Sequence, residues 1–399
     1  MTGANTFSVS GYGPERSSLS RLLARDSLAR RLDWPILLSA LALSFMGAIL
    51  VYSATRNRTE INQGDQYYFL IRHLMNTGIG FCLMIGTVWL GHRTLRTAVP
   101  ILYGLSVFLI LMVLTPLGAT VNGAHAWIVL GGGFSLQPSE FVKITIILGM
   151  AMLLAARVDA GDKPYPDHRT VLQALGLAAV PMMIVMLMPD LGSVMVMVII
   201  VLGVLLASGA SNRWIFGLLG TGALGAVLVW QLGILDEYQI NRFAAFANPE
   251  LDPSGVGYNT NQARIAIGSG GLTGTGLFHG SQTTGQFVPE QQTDFVFTVA
   301  GEELGFMGAG LIILLLGVVL WRACRIARET TELYGTIVAA GIIAWFAFQA
   351  FENIGMTLGI MPVAGLPLPF VSYGGSSMFA VWVAVGLLQS IRVQRPMSA

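Results

Sequence analysis

Residues 288–306 read VPEQQTDFVFTVAGEELGF and set four carboxylates, Glu290, Asp294, Glu302 and Glu303, along the start of an apolar run that continues to residue 321. A charged side chain in hydrocarbon costs at least ~2.5 kcal/mol on insertion scales, so carboxylates at the mouth of a span mark function by default. The run is long enough to cross a bilayer, and outward from it the chain divides into ten such runs, at roughly 34–53, 72–91, 97–116, 139–156, 170–188, 191–208, 214–235, 295–321, 333–354 and 376–391.

Composition agrees with that division. Of 399 residues, 54% are hydrophobic and 11% charged, with a mean hydropathy of +0.68. This is the profile of an all-α polytopic membrane protein. A net charge of +1 excludes the concentrated basic face of a nucleic-acid binder. Cys82 lies in an apolar run and Cys324 among arginines, so neither a disulfide framework nor a cysteine metal site is indicated. Residues 1–33 carry Arg16, Arg21, Arg25, Arg30 and Arg31, and no small-residue cleavage site follows the first apolar run; they are expected to remain as a cytoplasmic tail. On that orientation most of the 22 Lys and Arg fall on inner segments, and the positive-inside rule places both termini in the cytoplasm. Residues 34–391 then form the membrane domain and 392–399 a second cytoplasmic tail.

The unusual connections all fall on the outer side. Segment 236–293 is too long for a simple turn, and 117–138 and 355–375 are rich in Gly and Pro and lack Lys and Arg. Within the long loop, GSGGLTGTG (268–276) lacks the P-loop and dinucleotide spacings, which excludes a nucleotide site. Its amides suit either an anion nest for a diphosphate or a flexible tether. Glu140 and Lys143 stand at i and i+3 in the fourth run, where pairing lowers the cost of each charge; a packing salt bridge and a catalytic role both fit. Asp190 precedes the sixth run and suits a helix cap. Glu352 and Asn353 close the ninth run ahead of GIMPVAGLPLPFVSYGGSS (359–377). Pro362, Pro367 and Pro369 cannot continue a membrane helix, so this backbone must be shielded by protein or water.

Four stretches carry a resemblance: NIGMTLGIMPVAGLPLPFVSYGGSS (353–377), QPSE (137–140), PDLGS (189–193) and PEQQTDFVFTVAGEELGFMG (289–308). Together, in order and spacing, they resemble the SEDS family of bacterial cell-wall polymerases, from the first span to the last. Segment 248–283 resembles the RodA branch more than the FtsW branch, because Gly280-Ser281-Gln282-Thr283 stands where that branch carries Gly-Thr-Gln-Thr.

The resemblance implies a peptidoglycan glycosyltransferase that polymerises lipid II at the outer leaflet of the plasma membrane during elongation. It also implies that Asp294, in the Thr-Asp-Phe motif, is the essential acid. A carboxylate there serves as general base on a sugar hydroxyl or as ligand for a divalent cation, Mg or Mn; no organic cofactor is expected. Arg242, Arg264 or such a metal would offset charge on the leaving diphosphate. Trp127, Gln282, Glu290, Ser372 and Ser376 complete the candidate substrate-binding set, with Trp127 suited equally to the lipid interface and to stacking on a sugar. Glu302 and Glu303 lie two or more turns deeper and read as packing or cavity groups. Two positions depart from the family pattern: Gln292 stands where His is common, and Ala126 where Arg often precedes the Trp. The expected partners are lipid II, a class B penicillin-binding transpeptidase docked near spans eight and nine, and other elongation-complex membrane proteins. A lipid II flippase and a non-catalytic scaffold are the rival functions.

Overall fold

The computed structural model describes residues 28–58, 61–62, 64–121, 124–131, 134–160, 164–188, 190–233 and 256–394. Arg242, most of the N-terminal tail, the first part of the long loop and the last five residues lie outside them.

Helices stand at all ten expected positions. They are α1 (Trp34–Thr55), α2 (Tyr68–Leu90), α3 (His92–Val113), α4 (Pro138–Asp159), α5 (His168–Met186), α6 (Leu191–Ala207), α7 (Asn212–Gln231), the pair α10 (Val296–Glu303) and α11 (Gly305–Glu329), α12 (Leu333–Leu358) and α13 (Gly375–Val393). Among the described residues, eight are long and apolar enough to cross a bilayer, and α6 is a shorter apolar helix of 17 residues. The all-α membrane fold is as expected. Its most buried spans are α1, α4, α12 and α13. α2 packs closely along α13, and small residues permit it: a Cβ on Gly80 would meet the Trp382 ring at 2.7 Å.

Two features correct the sequence reading. The eighth run is not one helix, because Gly305 adopts φ +64 and separates α10 from α11. The left-handed backbone is open to glycine at little cost, so the chain turns there. Segment 117–138, read only as an outer connection rich in Gly and Pro, contains an antiparallel sheet of β1 (Gly118–Val121), β2 (Ala124–Gly131) and β3 (Phe134–Leu136), in the order β1-β2-β3. The sequence AHAWIVLG alternates as a half-buried strand should: Ala126 and Ile128 face inward and Val129 is exposed.

The second part of the long loop is ordered around the α10–α11 turn, in α8 (Val256–Ser269) and the short α9 (Ser281–Thr284). The amides of Thr275 and Gly276 donate to the carbonyls of Glu302 and Glu303, at 2.9 and 3.1 Å, and Phe306 and Met307 donate to Gly271 and Leu272, at 2.9 and 3.1 Å. The glycine-rich stretch therefore neither forms a tether nor offers these two amides to a diphosphate; it satisfies the exposed ends of two helices.

Candidate active site

Asp294 stands two residues before α10, in a tight turn. The Glu290 carbonyl accepts the amides of Thr293, Asp294 and Phe295, at 3.2, 3.1 and 3.2 Å. Glu290 itself has φ +50, a sparsely populated conformation for a non-glycine residue and one found at functional sites. Its carboxylate accepts the Gln292 amide at 3.3 Å and the Thr293 hydroxyl at 3.2 Å. Gln292 thus retains a polar contact where the family pattern has a titratable group.

Opposite lies the 359–374 segment, which is irregular as expected. Its backbone groups are satisfied by one face of α12. The Gln349 side chain donates to the Pro367 carbonyl at 2.7 Å, the Glu352 carboxylate accepts the Ala364 amide at 3.2 Å, and Asn353 Nδ2 donates to the Leu366 carbonyl at 2.7 Å. This is how non-helical backbone is tolerated at membrane depth. The same Asn353 amide reaches the Asp294 carbonyl, also at 2.7 Å. Ser372 donates to the Thr293 carbonyl, and the Tyr373 amide to that of Gln292 at 2.8 Å. Asp294 is thereby locked against the segment, and a Cβ added to Gly365 would lie 3.4 Å from its Oδ2.

Glu290, Asp294, Ser372 and Asn353 therefore converge; Gln282 reaches only the neighbouring turn, its carbonyl accepting Gln291 Nε2 at 3.5 Å. Other candidates fall elsewhere. Ser376 accepts the Gln137 amide at 2.9 Å. Gln137 donates in turn to Asp190 at 3.3 Å, and Asp190 caps α6 by accepting the Ser193 amide at 3.0 Å. Glu140 and Lys143 form a fully buried pair at 2.7 Å. Lys143 also donates to Gln349 at 3.3 Å, so the pair braces the helix that holds the 359–374 segment. Trp127 is half-buried on β2, opposite Ala119, and Arg264 is exposed on α8 beside Gly359. Glu302 and Glu303 point apart: Glu302 accepts from residues 282 and 283, and Glu303 accepts the Ser53 hydroxyl at 2.5 Å.

Two cations reach this region that motif reading passed over. Arg58 donates to the Val288 carbonyl at 2.9 Å; burial lowers its guanidinium from the ordinary value and the Glu290 carboxylate raises it. Arg72 lies over the Tyr68 ring at 4.3 Å and beside Tyr373. Burial pushes the Tyr373 phenol up and Arg72 pulls it back. The available signal was their position, just after span one and at the head of span two.

Among the described residues no three His, Cys, Asp or Glu side chains gather as a metal cage. A divalent cation at Asp294 would therefore have to be shared with substrate phosphates, as in magnesium sites that use one or two carboxylates.

Residues 33–396 match the family model described as cell cycle protein, FtsW/RodA/SpoVE. Stage V sporulation protein E of Bacillus subtilis is 38% identical over 364 residues, covering 90% of this chain and 96% of the relative. A probable peptidoglycan glycosyltransferase FtsW of Trichlorobacter lovleyi is 37% identical over 366 residues, covering 90% and 92%. Among solved structures, a chain from work on the structural coordination of polymerization and crosslinking by a peptidoglycan synthase complex superposes with a TM-score of 0.75 at 28% identity, covering 92% of this chain and 99% of that one. The rod shape determining protein RodA of Thermus thermophilus gives 0.65 at 29% identity, covering 92% and 98%.

Proposed function

We propose a function from one fact: this chain belongs to the FtsW/RodA/SpoVE family of cell cycle proteins. It is a multi-pass membrane peptidoglycan glycosyltransferase that joins lipid II units at the outer leaflet of the bacterial plasma membrane, with both termini in the cytoplasm. The observation that carries the assignment is the docking of the Asp294 turn on the 359–374 segment, which sets a carboxylate against a main-chain wall at Gly365.

In the reaction the acceptor sugar's 4-hydroxyl gives its proton to Asp294 as its oxygen bonds to the donor's anomeric carbon. The bond from that carbon to the diphosphate oxygen breaks, and the electron pair leaves on the polyprenyl diphosphate. Asp294 is the general base. Arg58 and Arg72 supply positive charge for the leaving group. A divalent cation held by Asp294 would supply further neutralisation there. An apolar groove of about 560 Å³ between α5, α6 and α7, lined by Met182, Met183, Met186, Val198, Leu202 and Leu219, suits the polyprenyl tail.

The finer role is elongation and shape maintenance. Segment 280–283 and the likeness to a RodA structure support it, while the sequence relatives reported above carry sporulation and division names. A single-span class B transpeptidase is the proposed partner, on the face where Phe306, Met307, Leu314 and Trp321 of α11 and Phe351 of α12 are exposed; the synthase-complex neighbour supports that choice.

Polymerisation of fluorescent lipid II by purified protein, alone and with a cognate transpeptidase, tests the assignment. Asp294→Asn is expected to slow strand synthesis at least ~100-fold, the usual loss for a general base. Normal synthesis by that variant, or lipid II transfer across liposomes without synthesis, would favour the scaffold or flippase reading.

A further inference from the structure

Glu302 is 0% exposed, and a buried carboxylate is costly unless its oxygens are satisfied. It accepts three hydrogen bonds from two adjacent residues: the Gln282 amide at 2.7 Å, the Thr283 amide at 2.9 Å and the Thr283 hydroxyl at 2.7 Å. The chain passes close enough to make them because residue 280 has no side chain; a Cβ there would lie 2.7 Å from the carboxylate. From this anchor the loop runs directly to the acid. The Gln282 carbonyl accepts the Phe287 amide at 3.3 Å and Gln291 Nε2 at 3.5 Å, and the Glu290–Asp294 turn follows. Asp294 stands two residues before α10 and Glu302 lies in its last turn. The segment between 282 and 294 is therefore held at both ends of one rigid element.

We propose that Glu302 is a positioning residue for glycan polymerisation, fixing the 281–284 turn so that the 285–291 segment delivers the Glu290–Asp294 turn to the 359–374 wall. This rests on Asp294 being the acid of the reaction. It also gives the Gly-Ser-Gln-Thr element a physical role, since Gly280 makes room for the carboxylate and residues 282 and 283 supply its donors. A glutamine at 302 is close in shape and keeps one acceptor oxygen, but its amide NH2 group must then face either the Gln282 or the Thr283 donors, so half of the anchor is lost while the volume is kept.

The experiment compares the full-length wild type with Glu302→Gln, Thr283→Val, Thr283→Ser and Asp294→Asn, by strand synthesis across a range of lipid II concentrations. Hydrogen exchange of segment 281–291 is followed in parallel. Glu302→Gln is expected to lower kcat about tenfold or more, with KM within about twofold, since hydrogen bonds to charged groups are among the stronger ones lost. The amides of Gln282 and Thr283 should exchange faster. Thr283→Val should lose activity about threefold and Thr283→Ser restore it, since only the latter keeps the hydroxyl donor. Adding Thr283→Val to Glu302→Gln should cost less than Thr283→Val costs in the wild type. Wild-type kcat in Glu302→Gln beside an inactive Asp294→Asn would overturn the positioning role and leave the polymerase assignment standing. A wild type that makes no strands overturns both. If Glu302→Gln fails to fold, Thr283→Val decides: wild-type activity there overturns the proposal.

Discussion

Asn353 uses both protons of one amide nitrogen on two chain segments, the Asp294 carbonyl and the Leu366 carbonyl, and so couples the acid's backbone to its opposing wall. Asn353→Ala leaves both buried carbonyls without that donor, at about 1–3 kcal/mol for each unsatisfied group. The expected result is a lower thermal midpoint in detergent and a loss of strand synthesis beyond what the remaining folded fraction explains. Asn353→Asp should be worse than Asn353→Ala, because a carboxylate would face two acceptors; the same melting series checks that order. At this scale the sequence was readable where a residue type is costly in a membrane. Glu140, Lys143, Asp190, Glu352 and Asn353 were singled out for that reason, and each proves to have at least one hydrogen-bond or ion-pair partner. Arg58 and Arg72 were passed over because arginine beside an outer loop is unremarkable until folding brings it to Glu290 and Tyr373.

The α10–α11 junction shows what a single residue imposes on an element. Gly305 holds φ +64, and a Cβ there would come within 2.3 Å of the Gly274 nitrogen. Gly305→Ala should therefore cost at least the ~1–2 kcal/mol of left-handed backbone, with the clash added. Gly310, the sixth residue of the same helix α11, has open space around it, and its change to Ala should leave stability equal or raise it by up to about 1 kcal/mol of helix propensity. Equal melting of the two variants would show that the break is not sterically required. The junction was not legible because glycine within an apolar run reads as tolerated; its conformation depends on contact with Gly274, some 30 positions upstream. The sheet was legible in principle, by the alternation in residues 124–131, but its flanking glycines dominated the reading of segment 117–138.

Across the whole molecule, the end of the bundle away from Asp294 is closed by one acid. Asp33 is 0% exposed and takes Arg322 Nε at 3.0 Å and Arg392 at 3.1 Å, while Gln389 bonds both its amide and its carbonyl. It thereby fastens α1, α11 and α13 together. Arg322→Ala should lower stability by about 3–5 kcal/mol by leaving a buried charge underpaired, and adding Asp33→Asn should return part of it. Thermal melting of the two variants measures this; a double variant no more stable than the single one would refute the account. The position and order of the helices were legible at this scale because hydrophobic length is set by the bilayer, whereas the pairing of distant helices depends on contacts that no local pattern encodes. One last property follows from the wall facing Asp294. It is main chain, seated so closely on α1 and α6 that a Cβ on Gly47 or Gly192 would come within 2.3 and 2.6 Å of the carbonyls of Val371 and Ala364. The shape of that wall should therefore survive wide drift in the side chains of residues 359–374, and resistance or specificity variants selected in a mutant library should map to the helices that seat it.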